Sequence, residues 1–155
     1  MINWAHVHLM INHIPVIGIP GAVLLLIYSV IRKSEEVRVI SFSLFVLIAL
    51  MTVSVYLTGE AAEKVVKNLP GVTEAYIGRH EEMAEYSVVF TVLLGLAATV
   101  GLIIRYRTGS IPRFALMLVL LVAIIVSVVL GITANLGGQI RHTEIRDKTS
   151  VTVIH

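Results

Sequence analysis

The chain contains no cysteine. That excludes disulfides, thiolate zinc sites, iron–sulfur clusters and covalent c-type haem attachment, so any metal must be held by histidine, carboxylate, methionine or backbone. Charge is scarce as well: Asp, Glu, Lys and Arg make up 14% of the residues and the net charge is only +2. Without a basic patch interleaved with aromatics, nucleic acid is excluded as a partner. The opening "MINWAHVH" lacks Lys and Arg, and the basic pair Arg32-Lys33 comes after the first apolar run rather than before it. A secretory signal has the reverse order and a small-residue cleavage site, so the first segment is expected to be a retained span. Low-complexity tracts, a convincing internal repeat and a long linker are also missing. One domain over residues 1–155 is expected.

What the chain has in excess is hydrophobicity. Fifty-seven per cent of residues are apolar and the mean hydropathy is +0.91, well outside the range of a soluble domain. Four charge-free stretches, Ile14–Ile31, Val39–Thr58, Tyr86–Ile104 and Phe114–Leu136, each approach the ~20 apolar residues needed to cross a bilayer. The expected fold class is all-α, an integral membrane four-helix bundle with the lipid bilayer as its surroundings. Four spans put both ends of the chain on one side and the linkers 32–38 and 105–113 on the other. Those linkers hold Arg32, Lys33, Arg38, Arg105, Arg107 and Arg113 within sixteen positions, whereas the other six basic residues are spread over three longer segments. Basic residues in short loops mark the cytoplasmic side. The expectation is a multi-pass membrane protein with both termini extracytoplasmic and helices 2–4 running on beyond the lipid.

This orientation puts every histidine on one side. His6, His8, His13, His80, His142 and His155 fall at the extracytoplasmic ends, together with Glu60, Glu63, Glu74, Glu81, Glu82, Glu85, Glu144 and Asp147. Heights follow from the ~1.5 Å rise per helical residue. His8 lies 24 residues from Arg32, Glu60 and Glu63 lie 22 and 25 from Arg38, and His80 lies 25 from Arg105. If the helices continue past the lipid, these groups share one level to within about a turn, ~5 Å. His13 sits deeper and His142 further out. One site fed by all four helices is the geometric expectation, since bundles build metal centres from inward-facing Glu and His.

Each feature also has a plainer reading. His6 and His13 share one helical face, and His8 and Asn12 another, so one stripe can face inward while the other meets headgroups. Glu60–Lys64 and Glu63–Lys67 are favourable i, i+4 pairs of the kind that decorate a solvated helix end. Pro15 and Pro20 should kink the first helix. Pro70-Gly71 marks a break, after which Thr73 is a natural N-cap. Two stripes of small and polar residues, His80/Ala84/Ser87/Thr91 and Ser127/Gly131/Asn135/Gly138/His142, either let helices approach closely or leave room for a flat macrocycle. Gly137-Gly138 either ends the fourth helix or admits close packing. The tail "SVTVIH" alternates like a strand. Met10 and Met83 lie near the site level but fit a core role better.

"HLMINHIP" with His8, His13 and Pro15, the Thr58-Gly59 turn, His80 and "GGQIRH" with His142 together resemble a family of uncharacterised bacterial four-helix membrane proteins. That family is similar in layout to small di-haem cytochromes b. The resemblance implies haem b held by axial histidines, with His8, His13, His80 and His142 as cofactor-binding candidates, and a quinol or a periplasmic redox protein as partner. Two departures accompany it: all histidines lie on one side, and acids crowd the site. The ring nitrogens not bound to iron would be oriented by Glu60, Glu63, Glu81 or Asn12. A non-haem centre of Fe, Mn, Zn or Cu built from His8, His13, Glu60, Glu63, His80, Glu81 and His142 is the alternative, with an open position that could activate water or dioxygen. A scaffold or assembly subunit, with an acidic cluster that binds a partner or relays protons, is the third. A homo-oligomer and enzymatic activity are both left open by the sequence.

Overall fold

The structure is a computed structural model that describes residues 2–146. His155, Asp147 and the strand-like "SVTVIH" lie outside the described residues. Four long helices, α1 (Trp4–Arg32), α2 (Glu35–Val66), α3 (Glu74–Thr108) and α4 (Arg113–Arg141), are followed by one 3₁₀ turn at Thr143–Ile145. All four are long and apolar enough to cross a membrane. Each continues past its charge-free stretch at the end carrying the histidines. α1 does so too, beginning ten residues before Ile14. It also runs unbroken through Pro15 and Pro20.

Local chemistry sets the helix ends. Asn3 caps α1 by accepting the His6 N–H, and Ser34 caps α2 by accepting the Val37 N–H, each satisfying an otherwise orphaned donor. Thr73 occupies the N-cap of α3 in extended conformation, as its residue type suggests, but makes no side-chain capping bond. The expected Thr58-Gly59 turn is absent: α2 continues through both residues to Val66. Nothing in the local sequence stops a helix there, and the chain turns only at Pro70-Gly71, with Gly71 at φ +80°. Gly109, at φ +88°, ends α3 in the left-handed conformation that glycine adopts without penalty.

Short connections force neighbours antiparallel. α1 packs on α2 and α4, and α3 packs on α2 and α4, so α1 and α3 face each other across the bundle axis. The core is carried by Ile19, Leu26, Phe42, Phe45, Leu94, Val119 and Val126. Gly95 lies against the Ala49 side chain, and Gly101 against the Phe42 ring, so closely that an added methyl at either would overlap its neighbour. These glycines set the approach of α2 and α3. Outside, Leu24, Leu47, Leu96 and Leu121 are each more than half exposed in mid-span. Water would penalise such a continuous apolar belt, and hydrocarbon would accept it.

The stripe expected to face inward on α4 does so only in part, with Ser127 and Gly138 half-buried. Gly131 meets open space, and Asn135 and His142 are exposed. The buried face instead runs through Ala115, Val119, Ala123, Val126, Leu130, Thr133 and Leu136. α4 is apolar all round, so its sequence carries little directional signal, and packing chooses the face.

Candidate functional site

Two histidines meet at the end of the bundle away from the short linkers. His8 comes from α1 and His80 from α3, the diagonal pair, and their rings reach across the axis to 6.5 Å between centroids with the planes at 89°. The helix between them on either side pins one ring. His8 Nδ1 lies 2.9 Å from Thr58 Oγ1 on α2, and His80 Nδ1 lies 3.0 Å from the Thr133 carbonyl on α4. All four helices therefore contribute to one small polar constellation.

The partners assign the tautomers. A carbonyl only accepts, so His80 Nδ1 carries the proton. The Thr58 hydroxyl already donates to the Val55 carbonyl at 2.7 Å, which leaves its lone pairs for His8, so His8 Nδ1 carries the proton as well. Nε2 of each ring has no hydrogen-bond partner among the described residues. Both rings lie beyond the ends of the charge-free stretches 14–31 and 86–104. Burial holds His8 below the ordinary histidine range, helped by the neighbouring His80, and burial likewise lowers His80. Two neutral imidazoles, each with a free Nε2 lone pair, result.

Small residues line this pair. A side chain at Gly137 would begin 3.0 Å from His80 Cε1, and one at Gly59 would lie 4.0 Å from His8 Cε1. One layer deeper, Ser87 Oγ and Thr133 Oγ1 are 2.7 Å apart, and the Thr133 hydroxyl also lies within 3.3 Å of the Met83 carbonyl. Thr133 thus ties α3 to α4 directly beneath the His80 ring. Gly137-Gly138 does not end α4 but provides the close packing, and α4 continues to Arg141.

The other expected ligands are elsewhere. His13 is exposed and hydrogen-bonds the Leu9 carbonyl of its own helix at 2.6 Å. His6 is exposed and pairs with Asn3. His142 is exposed and sits 2.9 Å from Glu144. Glu60 is engaged by Lys64 at 2.7 Å, the expected i, i+4 pair, and that lysine holds its carboxyl below the usual range. Glu63 is half-buried, and its charge, with that of Glu85, adds to partial burial in raising Glu81. These acids crowd one another on α2 and α3. Among the described residues, no three His, Asp or Glu side chains converge as a metal-holding group.

Thr58, Thr133, Ser87 and Gly137 are the members of the constellation that sequence reasoning did not single out as orienting groups. In the sequence Ser87, Gly137 and Thr58 stand only as a stripe member, a possible helix end and part of a turn, and Thr133 carries no signal beyond a hydroxyl near the end of an apolar helix. Two clamps were also missed. At the linker end Glu35 accepts the Ile111 N–H at 2.6 Å and pairs with Arg38 at 2.9 Å and Arg105 at 3.4 Å, joining α2, α3 and the start of α4. At the histidine end Arg146 donates to the carbonyls of Gln139, Ile140 and Gly71 and covers the Tyr76 ring at 4.2 Å.

Two imidazoles in line on one metal ion place their ring centres about 6.4 Å apart, from two metal–nitrogen bonds of ~2.0 Å and about 1.2 Å within each ring. A haem, if bound here, would be held by His8 and His80, whose ring centroids at 6.5 Å match that separation. The porphyrin brings the other four nitrogens, so two protein ligands suffice. A non-haem ion asks three or four donors of the protein, and the exposed Glu60 and His142 instead pair with Lys64 and Glu144 in this structure. Comparison with protein-family models, with curated proteins and with solved structures returns no match to this chain.

Proposed function

We propose that this chain is a membrane electron carrier of the cytochrome b kind, holding one haem b between His8 and His80. The observation that carries the reading is the facing of two neutral imidazoles from diagonal helices at 6.5 Å, each with Nδ1 anchored. When bound, the haem supplies one-electron redox chemistry. The chain's own residues do the rest. Thr58 and the Thr133 carbonyl orient the two rings and keep their Nε2 lone pairs available. Gly59 and Gly137 keep side chains away from the ring edges, and the apolar core below excludes water from the inner face of the site. His13 and His142, included among the sequence candidates, are left out of the ligand pair because both turn to the surface.

The site lies at the end of the bundle that holds the 67–73 connection and the start of the chain. The density of basic residues in the opposite linkers favours a cytoplasmic location for those linkers. The haem would then stand near the extracytoplasmic face of a bacterial inner membrane, within reach of a quinol in the outer leaflet or of a periplasmic redox protein.

The test is an absorption spectrum of protein purified from cells with ample haem supply, before and after dithionite. A sharp Soret band and a reduced α band are expected, both lost in His80→Ala and retained in His142→Ala. A preparation with stoichiometric metal but no Soret band would replace the reading with a non-haem centre. One with neither leaves a structural histidine pair.

A further inference from the structure

We propose that Thr58 is a positioning residue for His8: its hydroxyl decides which nitrogen of that ring carries the proton and holds the ring perpendicular to His80. The inference deepens the haem reading, and its consequence at the iron rests on that reading.

The two halves of the pair are held differently. His80 is fixed by a backbone carbonyl, that of Thr133, which stays whatever side chain stands at 133. His8 makes its one close hydrogen bond to a side chain, that of Thr58, with the Val55 carbonyl of the same helix α2 also bearing on the ring. The Thr58 hydroxyl is itself locked, because its proton is given to the Val55 carbonyl one turn back at 2.7 Å. A hydroxyl so committed offers only acceptance toward His8, at 2.9 Å, and forces the Nδ1–H tautomer there. Its next neighbour on α2, Gly59, presents no side chain to the ring; a Cβ there would lie 4.0 Å from His8 Cε1. On the His8 side the 89° angle between the rings accompanies the 2.9 Å bond to the Thr58 oxygen.

Valine at 58 keeps the shape of threonine and removes the acceptor. The His8 Nδ1–H then loses its 2.9 Å acceptor and keeps only the more weakly placed Val55 carbonyl, so Nε2–H becomes competitive and the ring turns more freely. Serine keeps the oxygen and serves as the conservative rescue.

The experiment has two arms. In the first, 15N-imidazole spectra are recorded on the haem-free protein in detergent micelles. Nδ1–H signals for His8 are expected in the wild type and in Thr58→Ser, with a shift to mixed tautomers in Thr58→Val while His80 is unchanged. Nε2–H at His8 in the wild type, or an unaltered His8 in Thr58→Val, overturns the proposal whether or not haem binds. In the second arm the ferric haem-loaded protein is examined by electron paramagnetic resonance. Perpendicular axial rings give one dominant low-field feature, and rotated rings give a rhombic three-line signal. The first is expected for the wild type and Thr58→Ser, the second for Thr58→Val. A rhombic wild type, or a Thr58→Val spectrum identical to it, overturns the orienting role. Absence of any haem spectrum sinks the cofactor reading alone, and the tautomer measurement still decides the role of Thr58.

Discussion

Gly137→Ala and Gly131→Ala make the same chemical change on the same helix, about one and two-thirds turns apart, with opposite surroundings. At Gly131 the added methyl meets nothing within 4 Å; at Gly137 it begins 3.0 Å from His80 Cε1 and 3.2 Å from Nδ1. Both substitutions gain the same intrinsic helix preference, about 1 kcal/mol. Only Gly137→Ala must push the His80 ring aside. Overpacking of a tight contact costs roughly 1–3 kcal/mol. Weakening the His80–Thr133 hydrogen bond adds about 1 kcal/mol. The two variants should therefore differ by about 2–4 kcal/mol in unfolding free energy, the sum of those two costs. Gly131→Ala should be equal to or more stable than the parent. Unfolding in detergent micelles, followed by circular dichroism, measures the difference, and haem titration reports the site: Gly137→Ala should load poorly and Gly131→Ala normally. Variants of equal stability and equal loading would refute the packing of Gly137 on His80 and the closeness of α3 and α4 at this level.

Three further expectations follow from the described contacts. Lysine cannot reproduce the guanidinium fork of Arg146, so Arg146→Lys should loosen the α2–α3 connection by about 1–2 kcal/mol, seen as faster amide exchange over residues 71–76; unchanged exchange there refutes the clamp. Glu35→Ala strands the N–H of the buried Ile111 and should cost about 1–3 kcal/mol, whereas Glu35→Gln keeps an acceptor and should cost less; equal losses would assign the effect to charge alone. Burial lowers His8 and His80 from their ordinary value of 6.5. Below that value the unfolded chain takes up protons that the folded chain refuses, so stability is level above it and falls as pH drops through the lowered folded values. Replacing both histidines by alanine should flatten that fall, and an unchanged slope in the double variant would remove the pair as its source.

Much of the architecture was legible in the sequence because it follows from length and polarity. Charge-free stretches of span length can satisfy their backbone in hydrocarbon only as helices, and short linkers leave little choice but an antiparallel ring. Counting residues from the basic linkers also put His8 and His80 at one height. Height is a one-dimensional quantity, and helical rise determines it. Which way each side chain turns is not. His13 is five residues from His8 and faces outward, and the α4 stripe through Gly131 and Asn135 turned to the surface. Helices that are apolar on every side carry no periodic contrast to reveal their buried face.

The sequence by itself determined that this is an all-α chain with four helices fit to cross a bilayer, and that its imidazoles gather at one end. Tertiary structure alone decided that His8 and His80 face each other across the axis, that Thr58 and the Thr133 carbonyl hold them, and that Glu60, His13 and His142 stand apart. The physical reason is that composition and rise are properties of a single helix. The rotation of one helix against three others is settled by which glycines, such as Gly95 and Gly101, let neighbouring helices close.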